Sequence, residues 1–420
     1  MTVTLAPSLP TISTPSRPDP LGVLGVPGEI NLDHAASAPC ARAAADAVAE
    51  LLPWYASVHR GAGALSRRCT LAYERARETV ADFLGARPDD HVIFTRNTTD
   101  ALNLLARALP AGTTVVTFAG EHHANLLPWP RGSVRLPVPD GPGGAVRSLD
   151  AALSELSRDA RPGLPVLVAV TGASNVTGER WPVADLARVA RRHGARILVD
   201  AAQLAPHAPV DLAALDVDYL ALSGHKLYAP FGAGVLVGRS DWLDAAPPYL
   251  AGGGATSHVG AATHEVRWAT GPARHEAGTP NLLGAVALAA VCAALADADR
   301  DALHAREQAL LARLRAGIAA LPHVVELRTF GPDAPRVGIV SFVVAGRDSA
   351  EVAAHLATAH RIGVRDGLFC AHPLARRLLT EAATRSGRGD LPPTALRASL
   401  GLGTTRADVD TLLTALATLP

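Results

Sequence analysis

The sequence predicts an α/β fold in which a mostly parallel sheet is covered by helices on both faces, followed by a smaller α+β domain. Short apolar runs of strand length alternate with amphipathic helical patterns between residues 91 and 237, an order typical of parallel sheets. Residues 282–320 form a long helical stretch rich in Ala and Leu, and shorter strand and helix patterns follow it. The 420 residues, 48% of them apolar, suffice for a large core and two domains.

The domain division follows from changes in composition along the chain. Residues 1–27 are rich in Pro, Ser and Thr and lack the basic start and apolar run of a signal peptide, so we expect a disordered tail. We assign residues 28–290 to the large domain and residues 291–420 to the small C-terminal domain, on which the N-terminal segment is expected to pack. No apolar stretch approaches the roughly 20 residues of a membrane span.

Charge and cysteine usage narrow the functional classes. Lys and Arg together number 39, as do Asp and Glu, so there is no electrostatic case for nucleic acid or an anionic membrane as partner. The four cysteines, Cys40, Cys69, Cys292 and Cys370, have no CxxC spacing. This pattern argues against a zinc site or a disulfide scaffold and fits a reducing cytoplasm.

The elements of the large domain can be placed in chain order. An extended entry segment covers residues 30–37. Strands are expected at residues 91–94, 114–118, 166–170, 197–199, 219–222 and 235–237, and helices at residues 41–52, 65–84 and 182–193. In such a sheet, ligands bind at the carboxyl ends of the strands, so the polar residues that follow each strand are the candidate site residues.

Thr98 and Thr99 begin a helix directly after the strand at residues 91–94. Hydroxyl groups and free backbone N–H groups at a helix start form a natural phosphate site. A plain Thr or Asp helix cap explains the same pattern equally well.

His122 and His123 follow the strand at residues 114–118, within the run Glu121-His-His-Ala-Asn125. Packing rarely requires two adjacent histidines after a strand. A histidine in such a position can stack on a ring or move protons.

Asp200 and Lys226 follow two further strands of the predicted sheet, and they are therefore near enough to face one ligand. A lysine in a loop is usually a solvated cation. The alternative is an amine that forms a Schiff base with a carbonyl cofactor such as pyridoxal phosphate, with the acid holding the ring nitrogen.

The ordered motifs resemble those of the class V aminotransferase-fold, pyridoxal-phosphate-dependent enzymes, and most of all the cysteine desulfurases and selenocysteine lyases. The matching motifs between about residues 29 and 416 are Leu32-Asp33 with Ala35-Ala-Ser37, Val58-His-Arg-Gly61, Thr98-Thr99, Glu121-His-His-Ala-Asn125, Ser174-Asn175, Asp200 with Gln203, Ser223-Gly-His-Lys226, Glu276-Ala-Gly-Thr-Pro-Asn281 and Arg397-Ala-Ser399. The resemblance implies an aspartate-aminotransferase-like fold of type I, with a seven-stranded sheet between helices.

The resemblance also implies roles around the cofactor ring. Lys226 would hold pyridoxal phosphate as a Schiff base and later move protons. Asp200 would pair with the pyridinium nitrogen, and Gln203 would bond the phenolic oxygen. His122 would stack on the ring and assist proton transfer.

The cofactor phosphate would be bound by hydroxyl and imidazole groups of this chain, namely Thr98, Thr99, Ser223 and His225. Thr279 would reach the phosphate of the neighbouring subunit, which implies a homodimer with shared active sites.

Asn175 and Arg397 would bind the substrate carboxylate, for which the forked guanidinium is suited, and Asn175 also counts among the cofactor-binding residues. His59 and Arg365 are further candidates for substrate binding. Cys370 occupies the position of the thiol that accepts sulfur as a persulfide. A lone cysteine is usually structural, but the basic neighbours Arg365 and His372 favour a thiolate here.

Several residues depart from the family pattern. Leu368 and Phe369 replace the two histidines that usually precede the cysteine, and Asp366 adds an acid. Asn97 replaces a glycine before Thr98-Thr99, and Gly63 replaces a histidine. We expect these changes to spare the groups that hold the ring and to alter the mouth of the site.

The leading hypothesis is a cytoplasmic, homodimeric, pyridoxal-phosphate-dependent L-cysteine desulfurase. It would yield L-alanine and a persulfide on Cys370, which would pass to a thiol acceptor; selenocysteine lyase is a close variant. The departures near Cys370 keep open a C–S lyase, an aminotransferase or an epimerase of the same fold. A non-catalytic α/β binding protein is the third hypothesis, and Lys226 and Asp200 together argue against it.

Overall fold

The computed structural model describes residues 19–159, 164–262 and 264–419. The α-helices of this part of the chain are α1 (Arg42–Leu51), α2 (Ala64–Phe83), α3 (Thr98–Ala108), α4 (Pro142–Asp159), α5 (Val183–Arg192), α6 (Ser240–Ala245), α7 (Leu282–Ala296), α8 (Arg300–Ala319), α9 (Ser349–His360), α10 (His372–Ser386) and α11 (Arg406–Ala417).

The strands are β1 (Ile30–Asn31), β2 (Asp90–Thr95), β3 (Thr114–Phe118), β4 (Val134–Leu136), β5 (Val166–Thr171), β6 (Arg196–Asp200), β7 (Tyr219–Ser223), β8 (Gly234–Arg239), β9 (Thr256–Val259), β10 (Val266–Trp268), β11 (Val324–Glu326), β12 (Ile339–Val344), β13 (Ile362–Gly363), β14 (Arg365–Gly367) and β15 (Ala395–Ser399).

Seven strands form the central sheet in the order β2-β8-β7-β6-β5-β3-β4. Only β8 runs antiparallel to its neighbours β2 and β7, and the other adjacent strands are parallel. Strand β7 is buried along its whole length, as expected for a parallel strand covered on both faces. The predicted seven-stranded, mostly parallel sheet is confirmed.

Alternate residues of each central strand enter two separate cores. Ile197 and Val199 of β6 join the core that includes α1, α2 and α7, whereas Leu198 joins the core under α3. This two-residue period follows from the pleat of the strand. The sheet therefore lies between two layers of helices, as the sequence predicts.

The C-terminal part is an α+β unit around the four-stranded antiparallel sheet β11-β12-β15-β14. Its core joins β12 to α8, α9 and α11. The N-terminal strand β1 pairs in parallel with β13. Helix α7 contacts α1 and α2, whereas α8 contacts α11 and β11; the predicted division between residues 290 and 291 lies within α7.

The predicted tail, residues 1–27, lies outside the described residues as far as residue 18. Residues 19–27 run along the start of α1, and the amide groups of Arg42 and Ala43 donate to carbonyl oxygens of this segment at 2.8 and 2.9 Å. Helix α1 has no side-chain cap, so the segment accepts hydrogen bonds that its first turn would otherwise lack.

None of the single helices described is long and apolar enough to cross a membrane. Helices α7 and α8 meet the length and composition criterion only as a pair, and the pair is bent by 91°.

Candidate active site

The carboxyl ends of β5, β6 and β7 and the start of α3 open onto a cavity of about 230 Å³. Every predicted site residue except His59 and Thr279 lines it. Those lining residues are Thr98, Thr99, His122, Asn175, Asp200, Gln203, Ser223, His225, Lys226, Arg365, Cys370 and Arg397. The sheet and the C-terminal domain thus supply opposite walls of one site.

Asp200 and Lys226 form the charged centre of the cavity. Asp200 ends β6, beside Thr171 of β5 and Ala221 of β7, and its Oδ1 accepts the N–H of Ala202 at 3.0 Å. Burial lowers the pKa of the Lys226 amine to about 8, partly opposed by the charge of Asp200. The amine is therefore partly neutral near neutral pH, as a nucleophile that attacks a carbonyl must be.

Burial also acts on the pKa of Asp200, and it raises that pKa, whereas the Ala202 hydrogen bond and the Lys226 charge lower it. A cationic group placed against this carboxylate would favour its ionised form. The carboxylate is thus suited to hold a protonated ring nitrogen.

His122 lies at the start of a short 3₁₀ helix, His123–Asn125. Its Nδ1 accepts the N–H of Ala124 at 3.1 Å, so the neutral ring carries its proton on Nε2. Burial, with the nearby charge of Lys226, lowers the pKa of His122 to about 3. The imidazole on this side of the cavity is therefore neutral.

The predicted phosphate-binding residues lie at the end of the cavity where α3 meets β7. Both the backbone N–H and Oγ1 of Thr98 lie 2.8 Å from Oγ of Ser223. Asn97, with an extended backbone, accepts the N–H of Asp100 at 3.0 Å and caps the helix. The Asn97 departure therefore preserves the helix start, because asparagine is among the best N-cap residues.

His225 and Gln203 link the same floor to the entry segment of the chain. His225 Nδ1 lies 3.3 Å from Oγ of Ser37, and burial lowers the pKa of this imidazole. Gln203 Nε2 donates to the carbonyl oxygen of Ala35 at 2.8 Å. The segment after β1 therefore fixes two residues that face the cavity.

Arg397 on β15 closes the opposite end of the cavity. Its side chain donates to the carbonyl oxygen of Asn175 at 3.0 Å and to Oδ1 of Asp33 at 3.1 Å. Within the described part of the chain its Nε has no hydrogen-bond partner, although the residue is 3% exposed. A buried guanidinium with a free donor is suited to receive a carboxylate.

Cys370 lies in a tight turn with an uncommon backbone. Phe369 and Cys370 have φ of 53° and 51°, and the N–H of Ala371 donates to the carbonyl oxygen of Leu368 at 3.0 Å. The left-handed conformation costs side-chain-bearing residues roughly 1–2 kcal/mol each. Other contacts must therefore hold the turn.

Three contacts from distant parts of the chain supply that support. Asn175 Nδ2 donates to the carbonyl oxygen of Phe369 at 2.7 Å, and the N–H of His123 donates to that of Cys370 at 2.8 Å. The Arg397 guanidinium lies 5.2 Å from the centre of the Phe369 ring. Together they leave the Cys370 side chain exposed at the cavity.

The sequence predicts that Phe369 alters the mouth of the site. In the structure Phe369 also has a second role. Its side chain lines the cavity but is also buried in a core with Leu374 and Leu378 of α10. The phenyl ring thus replaces a polar neighbour of the thiol with a packing contact that holds the turn.

His59 and Thr279 lie away from the Lys226 cavity. His59 Nε2 is 2.7 Å from Oε1 of Glu74, and its backbone N–H donates to Oγ1 of Thr70 at 2.7 Å. Thr279 is exposed and lines a different cavity, next to Glu276. Their predicted roles remain predictions.

Two acids near the site received no role from the sequence. Asp33 pairs with Arg397, and Glu121 is fully buried beside His122. Both belong to motifs of the resemblance, so their positions carried a signal. However, Arg397 and Thr171, which bind Asp33 and Glu121, belong to strands far along the chain, and the spacing of residues does not reveal these contacts.

Comparison with known proteins places these features in context. The sequence model of the family described as aminotransferase class-V matches residues 30–412. The chain is 38% identical over 398 residues to a cysteine desulfurase of Dickeya dadantii (strain 3937), covering 92% of this chain and 90% of that protein. It is 36% identical over 400 residues to a cysteine desulfurase of Klebsiella pneumoniae (strain 342), covering 92% of each.

Two solved structures are similar over most of their length. The apo structure of a cysteine desulfurase from Thermococcus onnurineus NA1 superposes with a TM-score of 0.80 at 32% identity, covering 93% of this chain and 94% of that one. The cysteine desulfurase CsdA from Escherichia coli, in an S-sulfonic acid form, gives a TM-score of 0.75, with the same identity and coverage.

Proposed function

The chain belongs to the class V aminotransferase family, and we propose that it is an L-cysteine desulfurase that depends on pyridoxal phosphate. The observation that carries the proposal is that the Cys370 thiol and the Lys226 amine line one cavity, between a buried carboxylate and a buried guanidinium. The desulfurases that match the chain at 34–38% identity support it.

The residues of the cavity fit pyridoxal phosphate. Lys226 has the lowered pKa of a Schiff-base lysine, Asp200 is a buried carboxylate for the ring nitrogen, and Gln203 and His122 flank the ring position. The start of α3, with Thr98, Thr99, Ser223 and His225, is a site for its phosphate. When bound, the cofactor supplies an electron sink for negative charge on the substrate carbons.

Lys226 and His122 divide the work around that centre. With a pKa near 8, the Lys226 amine changes between its neutral and charged forms at neutral pH, so it can take a proton and return it. His122 stays neutral because its pKa is about 3. A neutral imidazole can stack on a ring without charging the site.

The substrate carboxylate is proposed to bind at Arg397, with Asn175 beside it and Arg365 at the rim. This orientation directs the substrate sulfur towards Cys370, on the same side of the cavity. The Cys370 thiolate attacks that sulfur, and a sulfur–sulfur bond forms as the substrate carbon–sulfur bond breaks. The electron pair stays on carbon, which takes up a proton to become the methyl group of alanine.

The second half of the cycle transfers sulfur from the Cys370 persulfide to an acceptor thiol, which restores the Cys370 thiol. The exposure of Cys370 supports an acceptor that approaches from solvent. Selenocysteine is proposed as a further substrate, since its selenium would occupy the same place. All four cysteines are free, which supports the proposed cytoplasmic setting.

A homodimer is part of the proposal because Thr279 and His59 lie outside the cavity that contains Lys226. Thr279 is exposed on a turn next to the buried side chain of Glu276, so a second copy could receive it at its own phosphate site. Sedimentation equilibrium tests this directly, and a monomeric mass at micromolar protein would contradict it.

The deciding experiment incubates the full chain, purified with pyridoxal phosphate, with L-cysteine. We expect alanine to form and the mass of one sulfur atom to appear on the peptide that contains Cys370. The Cys370→Ala variant should bind the cofactor but form neither product, whereas Cys40→Ala, a cysteine away from the cavity, should behave as the wild type.

Two outcomes would overturn the proposal in different ways. Undiminished alanine formation by Cys370→Ala would exclude the persulfide step. Pyruvate in place of alanine, independent of Cys370, would identify a C–S lyase instead.

A further inference from the structure

Glu121 is a buried acid for which the proposed reaction has no step. It follows β3 and is 0% exposed. Its Oε1 accepts the backbone N–H of Thr171 at 3.0 Å, and its Oε2 accepts Nδ2 of Asn125 at 2.9 Å. The carboxyl group therefore joins the end of β5 to the 3₁₀ helix that follows His122.

This arrangement makes Glu121 a clamp on the His122 loop. His122 directly follows Glu121 in the chain, and its Nδ1 accepts the backbone N–H of Ala124. Asn125 continues the network, because its carbonyl oxygen accepts the Trp129 Nε1–H at 2.8 Å. Movement of the Glu121 side chain would thus displace the imidazole that flanks the cofactor ring.

The surroundings of Glu121 disfavour a negative charge. In the described part of the chain, the ionisable group whose charge reaches it is Asp200, another acid, which pairs across the sheet with Thr171. The positive charges of Lys226 and Arg397 do not offset a negative charge on Glu121, although both lower the pKa of His122. Burial and, to a smaller extent, the negative charge of Asp200 therefore favour the protonated form of Glu121.

Both hydrogen bonds that Glu121 accepts favour its ionised form, but a rotation of the Asn125 amide would accommodate the neutral form. Asn125 Oδ1 has no partner among the described residues. A flip of the Asn125 side-chain amide by about 180° would place Oδ1 where it can accept a hydrogen bond from a proton on Glu121 Oε2. The amide oxygen and nitrogen have nearly the same shape, so the flip needs no other movement. Burial, helped by the charge of Asp200, outweighs the hydrogen bonds from Asn125 and Thr171 and raises the pKa of Glu121 to about 8.

We infer that Glu121 is a neutral carboxylic acid in the resting protein and acts as a positioning residue that holds His122 and leaves Asp200 as the ionised acid under the ring nitrogen. The consequence for the cofactor rests on the proposed function. The protonation state itself does not, and it can be measured on the protein without cofactor.

Infrared spectroscopy of the apo protein labelled with ¹³C-carboxyl glutamate tests the protonation state and distinguishes Glu121 from Asp200. We expect a glutamic acid C=O band at pH 6.5, where exposed glutamates are ionised, that disappears as the pH rises through about 8. The band should be absent from Glu121→Gln. Absence of the band from the wild type at pH 6.5 would overturn the inference.

The consequence for the site is tested by titrating the Schiff-base absorbance of the holoprotein with pH. Glu121→Gln removes no charge if Glu121 is neutral, so the midpoint should stay that of the wild type. A midpoint lower by about one pH unit would mean that a negative charge had been lost, and would overturn the inference. Glu121→Ala, which removes the clamp, should weaken cofactor binding, and Gln should restore it.

The two experiments separate this inference from the proposed function. A protein that takes up no cofactor would contradict the proposed function, while the infrared band would still report on Glu121. A cofactor-loaded protein without the band would leave the function standing and exclude a neutral Glu121.

Discussion

The floor of the cavity is formed by Thr98, Asp200, Ser223 and Lys226, and residues of the turn 368–371 line the same cavity. Different interactions hold these two regions in place. Asp200 and Ser223 of the floor end the buried strands β6 and β7, each of which is paired on both sides. The turn has a left-handed backbone held by three contacts from other segments. The floor therefore depends on the sheet itself, and the turn depends on its neighbours.

The different support of the floor and of the turn accounts for two departures from the family pattern, Asn97 and Phe369. Asn97 changes a residue next to the floor while keeping a helix cap, so the start of α3 is preserved. Phe369 changes the turn and adds a buried ring under Arg397. A region stabilised by packing can accept a new residue if that residue packs, whereas a region proposed to bind a cofactor must keep its polar atoms in place.

The largest effect is expected from Lys226→Ala, which removes the reactive amine of the floor. Without the amine, no Schiff base forms and proton transfer is lost, so we expect alanine formation to fall by about 10³-fold or more. The visible absorbance of the purified protein should disappear as well. Lys226→Arg is the matched control, because it keeps a positive charge; it should fail equally, and recovery of activity by Arg would contradict the Schiff-base role.

A smaller effect is expected from Phe369→Ala, which breaks the turn and spares the floor. Removing the buried ring should lower the free energy of unfolding by about 3 kcal/mol. Alanine formation should fall by about tenfold or more because the thiol loses its orientation, with the Schiff-base absorbance unchanged. Urea denaturation and steady-state kinetics measure the two effects.

Phe369→Leu is the matched control for that turn. It keeps an apolar side chain in the same core, so the loss of stability should be about 1.5 kcal/mol or less. If Phe369→Ala formed alanine at the wild-type rate, the ring would not support the turn.

The smallest effect is expected from Asn97→Gly, which restores the residue usual in the family. Glycine is also an acceptable N-cap, so the free energy of unfolding should fall by only a few tenths of a kcal/mol. Asn97→Ala should cost about 1 kcal/mol, because the side-chain hydrogen bond to the N–H of Asp100 is lost. A larger cost for Gly than for Ala, measured by urea denaturation, would show that Asn97 does more than cap α3.

Much of the floor could be predicted from the sequence because its pattern is local. A buried strand followed at once by an acid or a lysine places that residue at the strand end, and parallel strands bring their ends together. The cavity accordingly contains Asp200, Lys226 and the residues that start α3. The order of the strands and the position of β8 in the sheet depended on pairings between distant segments.

The turn could be predicted only in part. Cys370 was a candidate because of its basic neighbours and the resemblance, and it does line the cavity. The left-handed backbone and the burial of Phe369 were not visible, because neither residue type favours such a φ. Both features arise from Asn175, His123 and Arg397, which lie up to about 250 positions away along the chain.

By itself, the sequence predicted a mostly parallel sheet and the strand-end residues able to hold a carbonyl cofactor, because hydrophobic period and polar strand ends are properties of neighbouring residues. Only the tertiary structure decided the exposure of Cys370, the separation of His59 and Thr279 from Lys226, and the charge-poor surroundings of Glu121. Such properties depend on burial, on backbone conformation and on the electrostatic field of charged residues in other strands. All three are set only when distant segments pack together.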